Sequence, residues 1–311
     1  MITILGAGGA IGNELIKLLA ATNQPFRLVG RNPKATPGAT ETLAADLTDK
    51  DQTIRAVAGS SVVHLLVGLK YDRTVWQEVW PRIMSNTIEA CKRARAKLLF
   101  FDNVYMYGKV SGSMTEETPF NPCSKKGEIR AKIATTLINE WKSGGLVAMI
   151  ARSADFYGPD ARNSVPNLLV FEPFAKKRKA SWLVNDSVPH SFTYTPDAAQ
   201  SLVQLAERAT AWNQTWHVPA APNPLTGREF VALAAKEFGV PPNYRVLSRP
   251  ILRIAGWFDP LVAESYEMLY QNDSSYLFDS GKFAREFGFT GTPYADGIRT
   301  TAASFKQISL L

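Results

Sequence analysis

The stretch "ITILGAGGAIGNEL" sets Gly6, Gly9 and Gly12 directly behind a short apolar run and ahead of residues whose apolar positions recur with helical spacing. A chain that turns from strand to helix within a few residues needs backbone conformations that only glycine adopts without steric cost. The helix that follows opens with N–H groups that have no intrahelical acceptor, so the turn is a ready cradle for an anion. Ile11, Leu15, Leu18 and Leu19 fall at i, i+4, i+7 and i+8, which predicts a helix over 10–21 with one buried stripe.

The same alternation continues down the first half of the chain. Short apolar runs at 2–6, 27–30, 41–47, 61–67, 97–102 and 146–152 read as strands, and amphipathic stretches at 74–95 and 126–142 as helices between them. Strands that alternate with helices predict a parallel sheet covered on both faces, an α/β fold of the doubly wound Rossmann type. Beyond about residue 155 the alternation gives way to proline- and aromatic-rich segments, with helices expected near 196–208 and 226–238 and helical turns between 250 and 270. The expected division is therefore 1–155, a dinucleotide-binding domain, and 156–311, a smaller mixed substrate-binding subdomain, interleaved around a shared cleft.

In this strand–turn–helix setting the glycine triplet predicts a dinucleotide whose pyrophosphate sits on the helix start. Gly6, Gly9, Ala10, Ile11 and Gly12 are its expected contacts, with Leu66 and Val67 at the end of the fourth strand. Sites for NAD place a carboxylate at the end of the second strand, and sites for NADP replace it with room and a cation. Here "LVGRNPK" has Gly30 there, followed by Arg31 and Lys34. That predicts NADP, with NAD as the alternative. Asp46 and Leu47, ending the third strand, are expected at the adenine edge; a helix cap ahead of "TDKDQT" is the competing role for Asp46.

Other function classes are bounded by composition. The formal charge of +7 favours anionic partners, including an anionic small-molecule substrate, but the excess is scattered. Its densest run is Lys176, Lys177, Arg178 and Lys179, either a solvated loop or a contact to an anion. No zinc-finger spacing, stacking motif or repeat supports a nucleic-acid partner. Two cysteines, Cys91 and Cys123, and three histidines, none at ligand spacing, predict neither disulfides nor a metal. No apolar run approaches the roughly 18 residues of a membrane span, so the expectation is a cytoplasmic chain without a membrane partner.

The motifs "ADLTD" (45–49), "SVVHLLV" (61–67), "FFDNVYMYG" (100–108), "TEETPFNP" (115–122), "RSADFYGP" (152–159) and "HSFTYTPDAAQSL" (190–202) follow the glycine loop in order. In them the chain resembles the extended and atypical short-chain dehydrogenase/reductases, the NAD-dependent epimerase/dehydratase family. The resemblance implies catalysis by Ser/Thr, Tyr and Lys, the last two as Tyr-x-x-x-Lys on a helix. Aligned on the family's pattern, this chain has Asn103 at the serine position, Lys126 at the tyrosine position and Arg130 at the lysine position. No tyrosine occurs between Tyr107 and Tyr157. Lys126 and Arg130 lie four apart on one helical face, where Arg130 can hold hydroxyls or an anion but cannot move a proton. Lys126, near a guanidinium and partly desolvated, is expected to lose its charge more readily and to act as acid/base; ligand binding without chemistry and a merely solvated basic face stay open beside it. Asn103 can orient a carbonyl or hydroxyl. Tyr105 is the nearest substitute phenol, ahead of Tyr71.

Three functions follow in order. The first is an oxidoreductase or epimerase-like enzyme acting on a hydroxyl or carbonyl carbon, of a sugar or nucleotide sugar. Next come a non-catalytic NADP-binding sensor and a dehydratase or lyase drawing on Glu116, Glu117 or Glu128. The resemblance also implies a homodimer through the helices at 74–95 and 126–142, with Trp76, Trp80 and Trp141 as candidate face or core residues.

Overall fold

The structure, a computed structural model, describes residues 1–22 and 24–308. Its contacts divide into two compact units: 1–106, 125–152 and 198–216 in one, and 107–124, 153–197 and 217–311 in the other.

The first unit is built on a sheet that, among the described residues, has seven strands. These are β1 (Ile2–Leu5), β2 (Phe26–Gly30), β3 (Glu41–Ala44), β4 (Val62–Leu65), β5 (Lys97–Asp102), β6 (Ala148–Arg152) and β7 (Thr215–His217). They lie in the order β7-β6-β5-β4-β1-β2-β3. Pairing is parallel from β3 through to β6, with Ile4 opposite Leu28 and His64, and Asp102 opposite Arg152. Order and direction are those of the doubly wound fold expected from the alternation. Ile4, Leu5, Leu28, Val29, Val63, Leu65, Leu98, Leu99 and Phe100 are almost wholly inaccessible, which is why these strands read as continuous apolar runs rather than alternating ones.

Helices α1 (Ala10–Ala21), α2 (Lys50–Val57), α3 (Arg73–Ala94), α4 (Lys125–Lys142) and α5 (Thr195–Glu207) complete the layers. The stripe on α1 runs through Ile11, Leu15, Ile16 and Leu19, so Ile16 takes the buried place expected of Leu18. Helix α2 starts at Asp49, whose carboxylate accepts from Gln52 N–H at 2.8 Å. Helix α3 starts at Asp72, which accepts from Thr74 and Val75 N–H. Each such cap contributes about 1 kcal/mol and places a boundary. Trp76 and Trp80 on α3 are buried within the chain's own packing, so they do not mark a subunit face.

The second unit pairs Asp155–Tyr157 with Phe192–Tyr194, Ala180–Leu183 with Tyr244–Leu247, and Ser113–Met114 with Leu277–Phe278, each in parallel. Its core is aromatic: Tyr157, Phe171, Phe192, Phe230 and Tyr294. The helix Gly227–Phe238 packs there, opened by a capping box between Thr226 and Glu229 and stopped by Gly239 at φ 65°.

Candidate active site

The turn between β1 and α1 is made from backbone. Gly6 and Ala7 N–H donate to Val29 C=O at 2.9 and 3.2 Å, binding the turn to β2. Gly6 has φ 95°, and a Cβ there would lie 2.7 Å from the Val67 backbone. No other residue fits. Gly8 has φ 102° with nothing within 4 Å of a Cβ, so its open side faces outward. Helix α1 begins after Gly9 with no side-chain cap and no acidic residue in its first turn. Its leading N–H groups therefore present partial positive charge to an exposed glycine surface, which fits a pyrophosphate. Gly12, by contrast, is buried with its nearest neighbour, Gly6 O, 3.5 Å from a Cβ, an ordinary contact. Leu66 donates its N–H to Leu5 C=O at 2.8 Å, which sets Leu66 and Val67 against the turn.

At the end of β2, Arg31 and Lys34 are exposed. The Asp46 carboxylate accepts from Thr48 N–H at 2.9 Å and Thr48 O–H at 2.8 Å. Those hydrogen bonds hold it below the usual carboxylate range, and the Arg31 guanidinium lowers it further. Asp46 thus closes a turn on itself, while Asp49 is the cap of α2; the cap reading of Asp46 is corrected. Leu47 is buried, its C=O accepting from Asn86 Nδ2 at 3.0 Å.

The face of α4 carrying Lys126 and Arg130 is not solvated. Lys126 has no exposed surface and Arg130 almost none, whereas Lys125 and Lys132 on the same helix are exposed, Lys125 pairing with Glu128 at 3.0 Å. Arg130 donates from Nε to Asp102 Oδ1 at 2.7 Å, with Nη2 at 2.5 Å from the same oxygen. Arg152 Nε lies 3.7 Å from Asp102 Oδ2. The Arg130 guanidinium carbon sits 4.5 Å from the Trp80 ring centroid and 5.2 Å from that of Phe100, so its flat faces meet π-electrons while its edge meets the carboxylate. Lys126 Nζ lies over the Tyr71 ring at 4.7 Å. The Tyr71 hydroxyl donates to that of Tyr105 at 3.5 Å, and Tyr105 stacks on Trp76 at 6.3 Å.

Lys126, Tyr71, Tyr105 and Arg130 are thus brought into one aromatic-walled cluster. Asn103 stands beside it, but its amide oxygen already accepts from Tyr105 N–H at 3.1 Å, so its amide N–H pair is what a ligand could use. Of the carboxylates considered for elimination chemistry, Glu128 is on the exposed side of α4. Glu116 lies in the second unit, where burial raises its pKa and its Oε1 accepts from His217 N–H at 2.9 Å.

Asp102 and Arg152 were missed by motif reading. Their signal was present: "KLLFFD" and "AMIAR" are buried strands that each end in a charge, and parallel register sets those charges side by side. Two guanidinium groups share one carboxylate, all three buried. Removing such a carboxylate leaves uncompensated buried charge, which costs about 3–5 kcal/mol.

Among the described residues there is no group of three or more metal-ligating side chains, and no helix is long and apolar enough to cross a membrane. Residues 2–218 match the model of the NAD dependent epimerase/dehydratase family. A curated relative, the 3beta-hydroxysteroid-dehydrogenase/decarboxylase isoform 2 of Arabidopsis thaliana, is 23% identical over 318 residues, covering 88% of this chain and 53% of the relative. The chain therefore spans about half the length of that protein. Two solved structures share the fold. The UDP-glucose 4-epimerase of Thermus thermophilus has 18% identity and a TM-score of 0.79, with 98% of each chain covered. The dTDP-glucose 4,6-dehydratase DesIV of Streptomyces venezuelae has 17% identity and a TM-score of 0.78, covering 99% of this chain and 97% of that one. With the glycine turn, the strand order and a match over more than two-thirds of its length, the chain belongs to the NAD-dependent epimerase/dehydratase family of enzymes.

Proposed function

We propose that this chain binds NADP in preference to NAD and exchanges hydride at a hydroxyl or carbonyl carbon of a sugar or nucleotide sugar, with Lys126 handling the accompanying proton. The observation that carries this reading is the Lys126 amine, fully enclosed over the Tyr71 ring and next to the Tyr71–Tyr105 hydroxyl pair, at the place where the family has its tyrosine. Gly6, Gly8 and Gly9 with the start of α1 would hold the pyrophosphate, and Arg31 and Lys34 a 2′-phosphate.

A nicotinamide ring, when bound, supplies hydride donation or acceptance. The protein must then deal with one proton at the substrate oxygen. Nζ of Lys126 donates it when a carbonyl is reduced and takes it when a hydroxyl is oxidised. The two phenols offer a hydrogen-bonded path for that proton, and the amide N–H pair of Asn103 can orient the oxygen. Arg130 is a positioning residue: its bond to Asp102 ties α4 to the end of β5 and so holds Lys126 in place. The sugar class is supported by solved neighbours described as NAD complexes of a UDP-glucose 4-epimerase and of MoeE5 with UDP-glucuronic acid. The Arabidopsis relative makes a hydroxysteroid the competing class.

The test is turnover of NADPH and NADH against nucleotide sugars and hydroxysteroids by the 311-residue chain. Lys126→Met should lower turnover by about a hundredfold or more while the cofactor still raises the melting temperature. Wild-type turnover in that variant would remove Lys126 from the chemistry. One observation favours a second reading, a dinucleotide-binding regulator: the cation at the family's lysine position is occupied by Asp102. It requires cofactor binding with no turnover on any substrate.

A further inference from the structure

The second unit carries an exposed apolar surface. Helices Arg249–Ala255 and Pro260–Ser265 meet where Gly256 lies against Ala263, and the turn between them exposes 76% of Trp257 and 83% of Phe258. Ile251, Ile254 and Leu261 beside them are each about half exposed, while Leu252 anchors the first helix inward. Ile251 and Ile254 fall at i and i+3 on the first helix, and Trp257 and Phe258 follow in the turn after it. Scattered apolar side chains on a surface are ordinary; five large ones gathered at one turn mark an interaction site.

The charge around that tip indicates the partner. From Tyr244 to Ser265 the chain has Arg245, Arg249 and Arg253 against Glu264 on the second helix and one carboxylate at its start, Asp259. That carboxylate is engaged in capping the second helix through Leu261 and Val262 N–H. The strand Tyr244–Leu247 pairs in parallel with Ala180–Leu183, which the exposed run Lys176–Lys179 directly precedes. The basic run and the helix that leads to the apolar tip therefore adjoin opposite ends of one two-stranded ribbon, roughly 13 Å long, with exposed Arg245 on it. Lys176 pairs with Glu172 and Arg249 with Asp273, which leaves Lys177, Arg178, Lys179, Arg245 and Arg253 as exposed cations with no ion-pair partner among the described residues.

We propose that this surface docks the protein on an anionic lipid bilayer, with Trp257 and Phe258 entering the headgroup layer and the cations lying against anionic headgroups. Aromatic side chains suit the boundary between water and acyl chains, and basic residues near it are drawn to the negative leaflet. Side chains as exposed as these touch little of their own chain, so nothing holds them in the shape that a protein pocket would demand. A fluid layer demands none. The sequence expectation of no membrane partner rested on the lack of a spanning segment, which a surface-lying protein does not need.

The experiment is co-sedimentation of the 311-residue chain with phosphatidylcholine vesicles containing about 30% phosphatidylserine, and with phosphatidylcholine alone, at roughly 0.1 M salt. The chain should sediment with the anionic vesicles and much less with the neutral ones. Trp257→Ser with Phe258→Ser should lower partitioning about tenfold, and Lys177→Glu, Arg178→Glu, Lys179→Glu should lower it and flatten its salt dependence, both at an unchanged thermal midpoint. The proposal is overturned if the wild type stays in the supernatant, if the aromatic double variant partitions normally, or if the wild type ignores vesicles and forms a dimer that the double variant dissolves.

Discussion

The β1–α1 turn and the inner face of α4 both manage charge, and they do it with different materials. At the turn the charge is partial and belongs to the backbone: N–H groups at a helix start, with glycines keeping side chains out. On α4 it is whole and belongs to side chains, with Arg130 and Arg152 around Asp102 and Lys126 against an aromatic wall. A backbone device depends on residues adjacent in sequence. The charged cluster needs a helix, two strand ends and three aromatic rings from α3 and β5 to arrive together. The first kind should fail by losing its ligand, and the second by losing the fold.

Asp102→Ala gives the widest separation. Two buried guanidinium groups would lose their carboxylate, so stability should fall by about 3–5 kcal/mol in denaturant unfolding. A loss under about 1 kcal/mol would mean that the pairing does not hold the two strand ends. Gly6→Ala comes next: a Cβ pressed on Val67 at φ 95° should cost about 1–3 kcal/mol and abolish cofactor-induced thermal stabilisation. Gly12→Ala, although it alters the same motif, has room for its methyl and should change stability by less than about 1 kcal/mol. Equal effects at the two glycines would refute the backbone account of the turn.

Acid acts on the sheet beneath both regions. His64, central in β4, is buried without a charge partner, and burial pushes its pKa from 6.5 down to about 4. Its unfolded form binds a proton below pH 6.5 that the folded form refuses. Its share of stability is therefore complete above about pH 6.5 and declines as pH falls towards 4, by about 3 kcal/mol in all. His64→Leu should flatten that limb of the stability profile; an unaltered limb would assign it to other groups. At the surface the expected effect falls on the ligand and not on the fold. Arg31→Glu should weaken NADP by about tenfold or more while sparing NAD, read by titrating each against thermal stability. Equal losses for both would remove Arg31 from 2′-phosphate recognition.

The extent to which the molecule could be read in advance follows the same line. Strands β1, β2 and β4 to β6 were visible because a strand buried on both faces is a continuous apolar run, and the boundaries at "KLLFFD" agree to the residue. Where a run continued into a turn, as at "ETLAADL", the strand ended early at Ala44, because Asp46 folds back onto Thr48. The spacing of Lys126 and Arg130 placed them on one side of α4, but spacing cannot say whether that side meets water or tryptophan. Arg130 was expected to hold a ligand, and its strongest partner is instead an aspartate 28 residues earlier.

What the order of residues alone decided is what neighbours along the chain can settle: the glycine turn, the alternation of strand and helix, and the absence of a catalytic tyrosine on α4. Only the folded chain decided which of five basic side chains on that helix lie buried and what compensates them. Hydrophobic periodicity is a local property summed over a window, whereas the compensation of a buried charge depends on groups that sequence separates and packing unites.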